Sequence, residues 1–247
     1  KKKLLFIILF FYFILSLNPI TDSDSLDYHL TIPLYQIEFG NPQFYKYWLH
    51  SQLVGSGETL LLYSLVFGGL HFSQILQFLS LLFIILIVLN LQIKKIFIDN
   101  EKRIFVSLCI ISMPALIFLA STSKPQLFPI ATNFISLIVS VFYLKNLKKY
   151  NLLITYSLII FLLFSSIQMK FSFLLSSAII TLYSVFQIIN KNFIYKSFIV
   201  IFILFLIIIV PREIYEFTTF NNDVIYNFFN PVTDLYASEA MNASLRH

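Results

Sequence analysis

Five of the chain's twelve acidic residues and two of its four histidines fall within 38 residues, Thr21–Glu58. The stretch opens Thr21-Asp22-Ser23-Asp24-Ser25-Leu26-Asp27-Tyr28-His29-Leu30 and closes Gly55-Ser56-Gly57-Glu58. A carboxylate beside a histidine and a tyrosine has two obvious uses. It can remove a proton from a hydroxyl, or it can ligate a divalent cation. Acids just outside a hydrophobic segment can equally be plain solvated loop residues, and Glu58 could simply favour the N-terminus of the helix it begins. Further along, isolated cations at segment ends, Lys124, Lys170 and Arg212, could receive an anionic leaving group. Lysines at such ends also snorkel to lipid headgroups, and that reading suits Lys170 best.

The elements that must position these residues are hydrophobic. Of 247 residues, 58% are hydrophobic and only 12% charged, about half the charge of a soluble domain. Mean hydropathy is +0.84. The single cysteine, Cys109, excludes an internal disulfide, and no Cys/His spacing suits zinc. Apolar segments run over Leu4–Leu17, Thr59–Leu70, Phe72–Leu91, Ile104–Ser121, Leu127–Leu144, Leu152–Ile167, Phe171–Ile189 and Phe193–Val210. Several reach or approach the ~18–20 residues that cross a bilayer. The fold class expected is therefore all-α: a polytopic helical membrane protein with about seven full spans and one half-span.

Charge sets the expected orientation. With the N-terminus and the connectors Asn90–Arg103, Lys145–Tyr150 and Asn190–Lys196 inside, the inner side holds twelve Lys/Arg and two acids. The outer side then holds five and ten, as the positive-inside rule requires. This topology makes Thr59–Leu91 a single net crossing. Thr59–Leu70 then reads as a half-span or re-entrant piece ending at Gly68-Gly69, since twelve residues of helix span only ~18 Å. Thr21–Glu58 becomes an extracytoplasmic loop, with short interfacial helices over Leu34–Phe39 and Phe44–Leu53. Residues 1–210 form the transmembrane module, and 211–247 read as the start of a truncated extracytoplasmic segment. Lys1-Lys2-Lys3 without a Met and the ending at Arg246-His247 suggest a fragment.

Asp24-Ser25-Leu26-Asp27-Tyr28-His29-Leu30-x-x-Pro33 resembles the Asp-Ala-Leu-x-Tyr-His-Leu-x-x-Pro signature of bacterial GT-C superfamily membrane glycosyltransferases. These are relatives of the dolichyl-phosphate-mannose and aminoarabinose transferases. Gly57-Glu58-Thr59-Leu60-Leu61-Leu62-Tyr63 resembles that family's helix start after the loop. Ser121–Gln126 falls at its extracytoplasmic turn, with Gln126 where members carry Asp, and Pro211-Arg212 with 220–228 matches a later pattern weakly. The resemblance implies transfer of a sugar from a polyprenyl-phosphate donor to an acceptor on the outer face of the plasma membrane. Asp24 would be the catalytic base and a possible ligand of Mg or Mn. Tyr28, His29, Glu58, Lys124 and Arg212 would bind substrate. Expected partners are the lipid-linked donor, membrane lipids and an acceptor; nucleic acid is not among them. Two other classes remain: a cell-envelope polysaccharide polymerase or ligase, and a transporter or non-catalytic membrane protein. The former generally places its large outer loop late in the chain, and the latter would carry charge within its spans.

Overall fold

The computed structural model describes residues 1–39, 56–90, 100–144, 147, 149–189, 194–211 and 214. Among these every regular element is helical. Helix α1 is Lys2–Leu15, followed by a five-residue π-helical turn at Ser25–His29 and by α2, Thr31–Phe39. Helix α2 starts before Pro33, which sits in the first turn, where its missing N–H costs no hydrogen bond. The second expected loop helix, Phe44–Leu53, lies outside the described residues.

Next come α3 (Ser56–Gly68) and α4 (Leu70–Asn90), separated by Gly69 alone. Gly69 has φ of 72°, the left-handed conformation that glycine adopts without a Cβ clash and that ends a helix. The ring of Phe72 packs so closely that a Cβ on Gly68 would lie 2.6 Å from it. Thirteen residues make α3 about 20 Å long.

Helices α5 (Asn100–Ile111) and α6 (Pro114–Ser121) meet at a 68° bend. The sequence reads as one straight segment here. Pro114 breaks it, because proline lacks the N–H needed for the helical ladder and disfavours helical geometry in the residue before it. Helices α7 (Leu127–Phe142), α8 (Lys149–Met169), α9 (Leu174–Ile189, led by a 3-10 turn at Phe171–Phe173) and α10 (Ile194–Leu204) follow. A π-helical turn at Phe205–Ile209 continues α10.

Among the described residues, three helical stretches are long and apolar enough to cross a membrane: Leu70–Asn90, Asn151–Met169 and Phe171–Ile189. The bent α5–α6 pair would make a fourth. Of the seven crossings expected, the other three correspond to shorter helices: α1, α7 and the stretch Tyr195–Ile209.

Two apolar clusters hold the bundle together. Leu5 and Tyr12 of α1 meet Phe78, Leu81 and Ile85 of α4, together with Ile104, Ile111, Leu119 and Leu127. The Tyr12 hydroxyl donates to the Ile111 carbonyl. Leu152, Tyr156, Ile160 and Leu163 of α8 pack with Ile180 and Ile188 of α9 in the second cluster. Small polar residues join α7, α8 and α9 at close range. The Asn133 amide donates to Ser166 Oγ, and Ser176 and Ser177 donate to Asn133 Oδ1 at 3.2 Å. Ser140 and Ser184 lie 2.7 Å apart. Such contacts let helix backbones approach where no water competes for the polar groups. The outward faces carry large apolar side chains instead, including Phe6, Phe161, Leu175, Leu182, Phe186 and Phe202.

The contacts define two ends of the bundle. His29, Glu58, Ser73 and the turn after Ser121 meet at one end. Lys1, Glu101, Arg103 and the C-terminus of α4 meet at the other. Helix α4 runs from the first end to the second, and α3 begins at the first.

Candidate functional site

The π-helical turn shapes the acidic stretch. Its closing bond runs from the Leu30 N–H to the Ser25 carbonyl at 2.9 Å, five residues back. That wider turn carries both Ser25 and His29 into the interior, where each is fully buried. Single π-turns of this kind occur often at functional sites. Asp22 anchors the start by accepting the Ser25 N–H at 3.0 Å.

Asp22 and Asp24 both face Lys124. Its Nζ lies 2.7 Å from Asp24 Oδ2 and 3.7 Å from Asp22 Oδ2. The lysine side chain is only 11% exposed, whereas that of Asp24 is 55% exposed. The ammonium also sits 4.7 Å from the centre of the Phe118 ring, a cation–π distance. Lys124 does not snorkel; it is a buried cation with a carboxylate at its open side.

Helix α4 fixes Lys124 in place. Gln74 Nε2 donates to the Ser121 carbonyl at 2.7 Å, and the Leu127 N–H donates to Gln77 Oε1 at 3.0 Å. Ser73 Oγ and Ser123 Oγ lie 2.5 Å apart. Ser73, Gln74 and Gln77 thus hold both ends of the turn that carries the lysine. Reading Phe72–Leu91 only as an apolar segment misses these residues. The available signal was a polar stripe at helical spacing, Ser73, Gln74, Gln77 and Ser80, within an otherwise apolar run.

His29 and Glu58 form a second pair behind the first. Nδ1 of His29 is 2.8 Å from Glu58 Oε1, and their side chains are 1% and 5% exposed. The carboxylate sets the imidazole's orientation, as a positioning acid does in proton-transfer sites. The Nε2 atom of His29 and the Ser25 hydroxyl are buried without hydrogen-bond partners among the described residues. The Tyr28 ring lies 3.9 Å from the imidazole. Burial, and then the charges of Asp24, Glu58, Asp27 and Asp22, push the Tyr28 phenol up, so it stays protonated.

Lys170 joins the cluster. The half-buried ammonium is pulled below its usual range by burial and by Lys124, while Glu58 and Asp24 oppose that shift. A half-buried ammonium at this end of the bundle is compatible with the headgroup reading of Lys170 and with a place beside the acids. Gly57 makes the approach possible. A Cβ there would lie 2.9 Å from Pro125 Cβ and 3.1 Å from the Met169 carbonyl, so the neighbours of Lys124 and Lys170 close over the first turn of α3.

Asp24, Tyr28, His29, Glu58 and Lys124 are thus brought to one end of the bundle, and Lys170 with them. Arg212 lies outside the described residues. Among the described residues, no group of three or more acids, histidines or cysteines converges as a metal site. The contact charge on Asp24 comes from Lys124 instead.

The family of the DUF1420 N-terminal domain matches residues 2–247. The chain belongs to that family. No curated protein and no solved structure matches it. In this DUF1420 domain, the match takes in every residue of the cluster and every helix that supports it.

Proposed function

We propose that this DUF1420 domain is the membrane part of a GT-C-type glycosyltransferase, passing a sugar from a polyprenyl-phosphate donor to an acceptor on the outer face. The supporting observation is the convergence of a half-exposed carboxylate, a buried and a half-buried lysine and a buried His–Glu pair at one end of an apolar bundle. A lipid-phosphate donor accounts for a site at that depth, since its prenyl chain stays in the bilayer while its phosphate reaches the cluster.

In this reading the bundle crosses the membrane about seven times, with the N-terminus cytoplasmic and the Lys124 end extracytoplasmic. The contacts favour α3 as a half-span. Glu58 at its start joins His29, while Ser73, just past its end, joins Ser123 at the same end of the bundle.

The chemistry follows from the ion pair. Lys124 holds Asp24 until a donor phosphate competes for the ammonium, which leaves the carboxylate to accept the acceptor's hydroxyl proton. The acceptor oxygen then bonds to the anomeric carbon as the bond from that carbon to the phosphate oxygen breaks. The electron pair leaves with the phosphate, whose added charge Lys124 and Lys170 offset. Tyr28 stands on the acceptor side, with the buried His29–Glu58 pair behind it. A divalent metal is implied by the resemblance, but the described residues do not assemble a site for one, and no step here uses it.

The test is sugar transfer from a labelled polyprenyl-phosphate sugar in membranes containing the protein. Asp24→Asn is expected to lower the rate by roughly 10²–10⁴-fold while membrane insertion is retained. Undiminished transfer by Asp24→Asn would remove Asp24 as base. Failure of the native chain to use any such donor would remove the reading altogether.

A further inference from the structure

At the opposite end of the bundle, α1, α4 and α5 enclose a groove of about 460 Å³. Its composition changes along its length. Lys2, Asn100 and Arg103 line one end, and only apolar side chains such as Leu5, Leu9, Leu82 and Leu86 line the rest. Lys2 and Leu9 are seven residues apart on one helix, so the groove follows α1 for roughly 10 Å.

Among the described residues that line the groove, both charged ones are cations. The nearby acid, Glu101, is engaged by Lys1 at 3.0 Å. Arg103 Nη1 donates to the Leu89 carbonyl at 2.9 Å, satisfying the C-terminus of α4. Its Nε is buried and has no partner among the described residues. A half-buried guanidinium beside a lysine and above an apolar channel matches a phosphate joined to a hydrocarbon chain.

We propose that this groove binds one anionic phospholipid of the inner leaflet. The headgroup phosphate contacts Arg103 and Lys2, and the first part of one acyl chain lies along the leucines of α1 and α4. The proposal rests on the bilayer setting and on the orientation proposed above, with the N-terminus cytoplasmic, and is independent of sugar transfer. A second copy of the chain fits less well, because the groove offers cations where a helix interface would bury apolar or small residues.

The test is native mass spectrometry of the full chain in detergent, with phosphatidylglycerol, phosphatidylcholine and inorganic phosphate as separate probes. Phosphatidylglycerol should be retained in preference to phosphatidylcholine. Lys2→Gln, on an exposed residue, should weaken that retention roughly fivefold. Leu86→Trp, which fills the channel and keeps both charges, should also weaken it. Equal retention of the two lipids, or retention unchanged by both substitutions, overturns the proposal. Binding of inorganic phosphate as tight as that of the lipid overturns it in favour of a simple anion site. Disulfide crosslinking of a Cys109→Ser, Leu86→Cys double variant into dimers overturns it in favour of a second copy.

Discussion

At the Lys124 end of the bundle Lys124, His29 and Glu58 are buried against their partners; at the Lys1 end Lys1 and Glu101 stand in the open. Lys124 is 11% exposed and His29 only 1%, whereas Lys1 and Glu101 are 60% and 67% exposed at a similar separation. A polar contact of similar length therefore does different things at the two ends. A solvated pair is screened and adds little stability, while breaking a buried pair leaves an uncompensated charge. Positions that keep buried charge without a structural need for it are where chemistry is expected.

The sharpest test of that contrast is Glu58→Leu. It removes the partner of a buried histidine and should cost about 3 kcal/mol in the unfolding free energy measured in detergent. The matched change at the other end, Glu101→Leu, should cost less than about 1 kcal/mol. Equal effects would break the comparison. Gln77→Leu tests the support beneath Lys124. It leaves the Leu127 N–H without its acceptor, and a loss of about 1–3 kcal/mol is expected, with transfer falling further than stability. Gly57→Ala should cost about 1–3 kcal/mol, because Pro125 or the Met169 carbonyl must shift to admit the methyl group.

The smallest effect concerns pH. Folding pulls the Lys170 ammonium below its ordinary value of 10.5. Between that lowered value and 10.5 the unfolded chain binds more protons, so stability from this group rises with pH across that window. It is fully present above 10.5 and lost as pH falls through the folded value. Lys170→Met should remove this alkaline gain, read as a flatter dependence of unfolding on pH. An unchanged slope would return Lys170 to the lipid headgroups.

Much of the supporting frame was legible in the residues. Apolar runs between charged connectors marked the helices, because lipid-facing and core-facing positions are both hydrophobic. Gly68-Gly69 marked the break between α3 and α4. The bend at Pro114 was also written in the sequence, yet an unbroken hydrophobic pattern hid it, since hydropathy ignores backbone geometry. In the site, Asp24, Tyr28 and His29 stood out by clustering. Gln74 and Gln77 did not, because their part depends on what lies opposite them, a turn some fifty residues away. Lys170 resembled any lysine at a segment end until the turn of Lys124 and the start of α3 were found beside it.

By itself the sequence determined a helical, strongly apolar chain, with its acids kept out of the apolar segments, five in Thr21–Glu58 and five past Val210, and its cations sorted between connectors. Periodicity and composition are local properties, and local properties suffice for that much. Tertiary structure decided which charges meet. The Asp24–Lys124 and His29–Glu58 pairs join residues 100 and 29 positions apart. Only the packing of α3, α4 and the turn after α6 brings these partners together, since a polar group that leaves water needs its partner already in place.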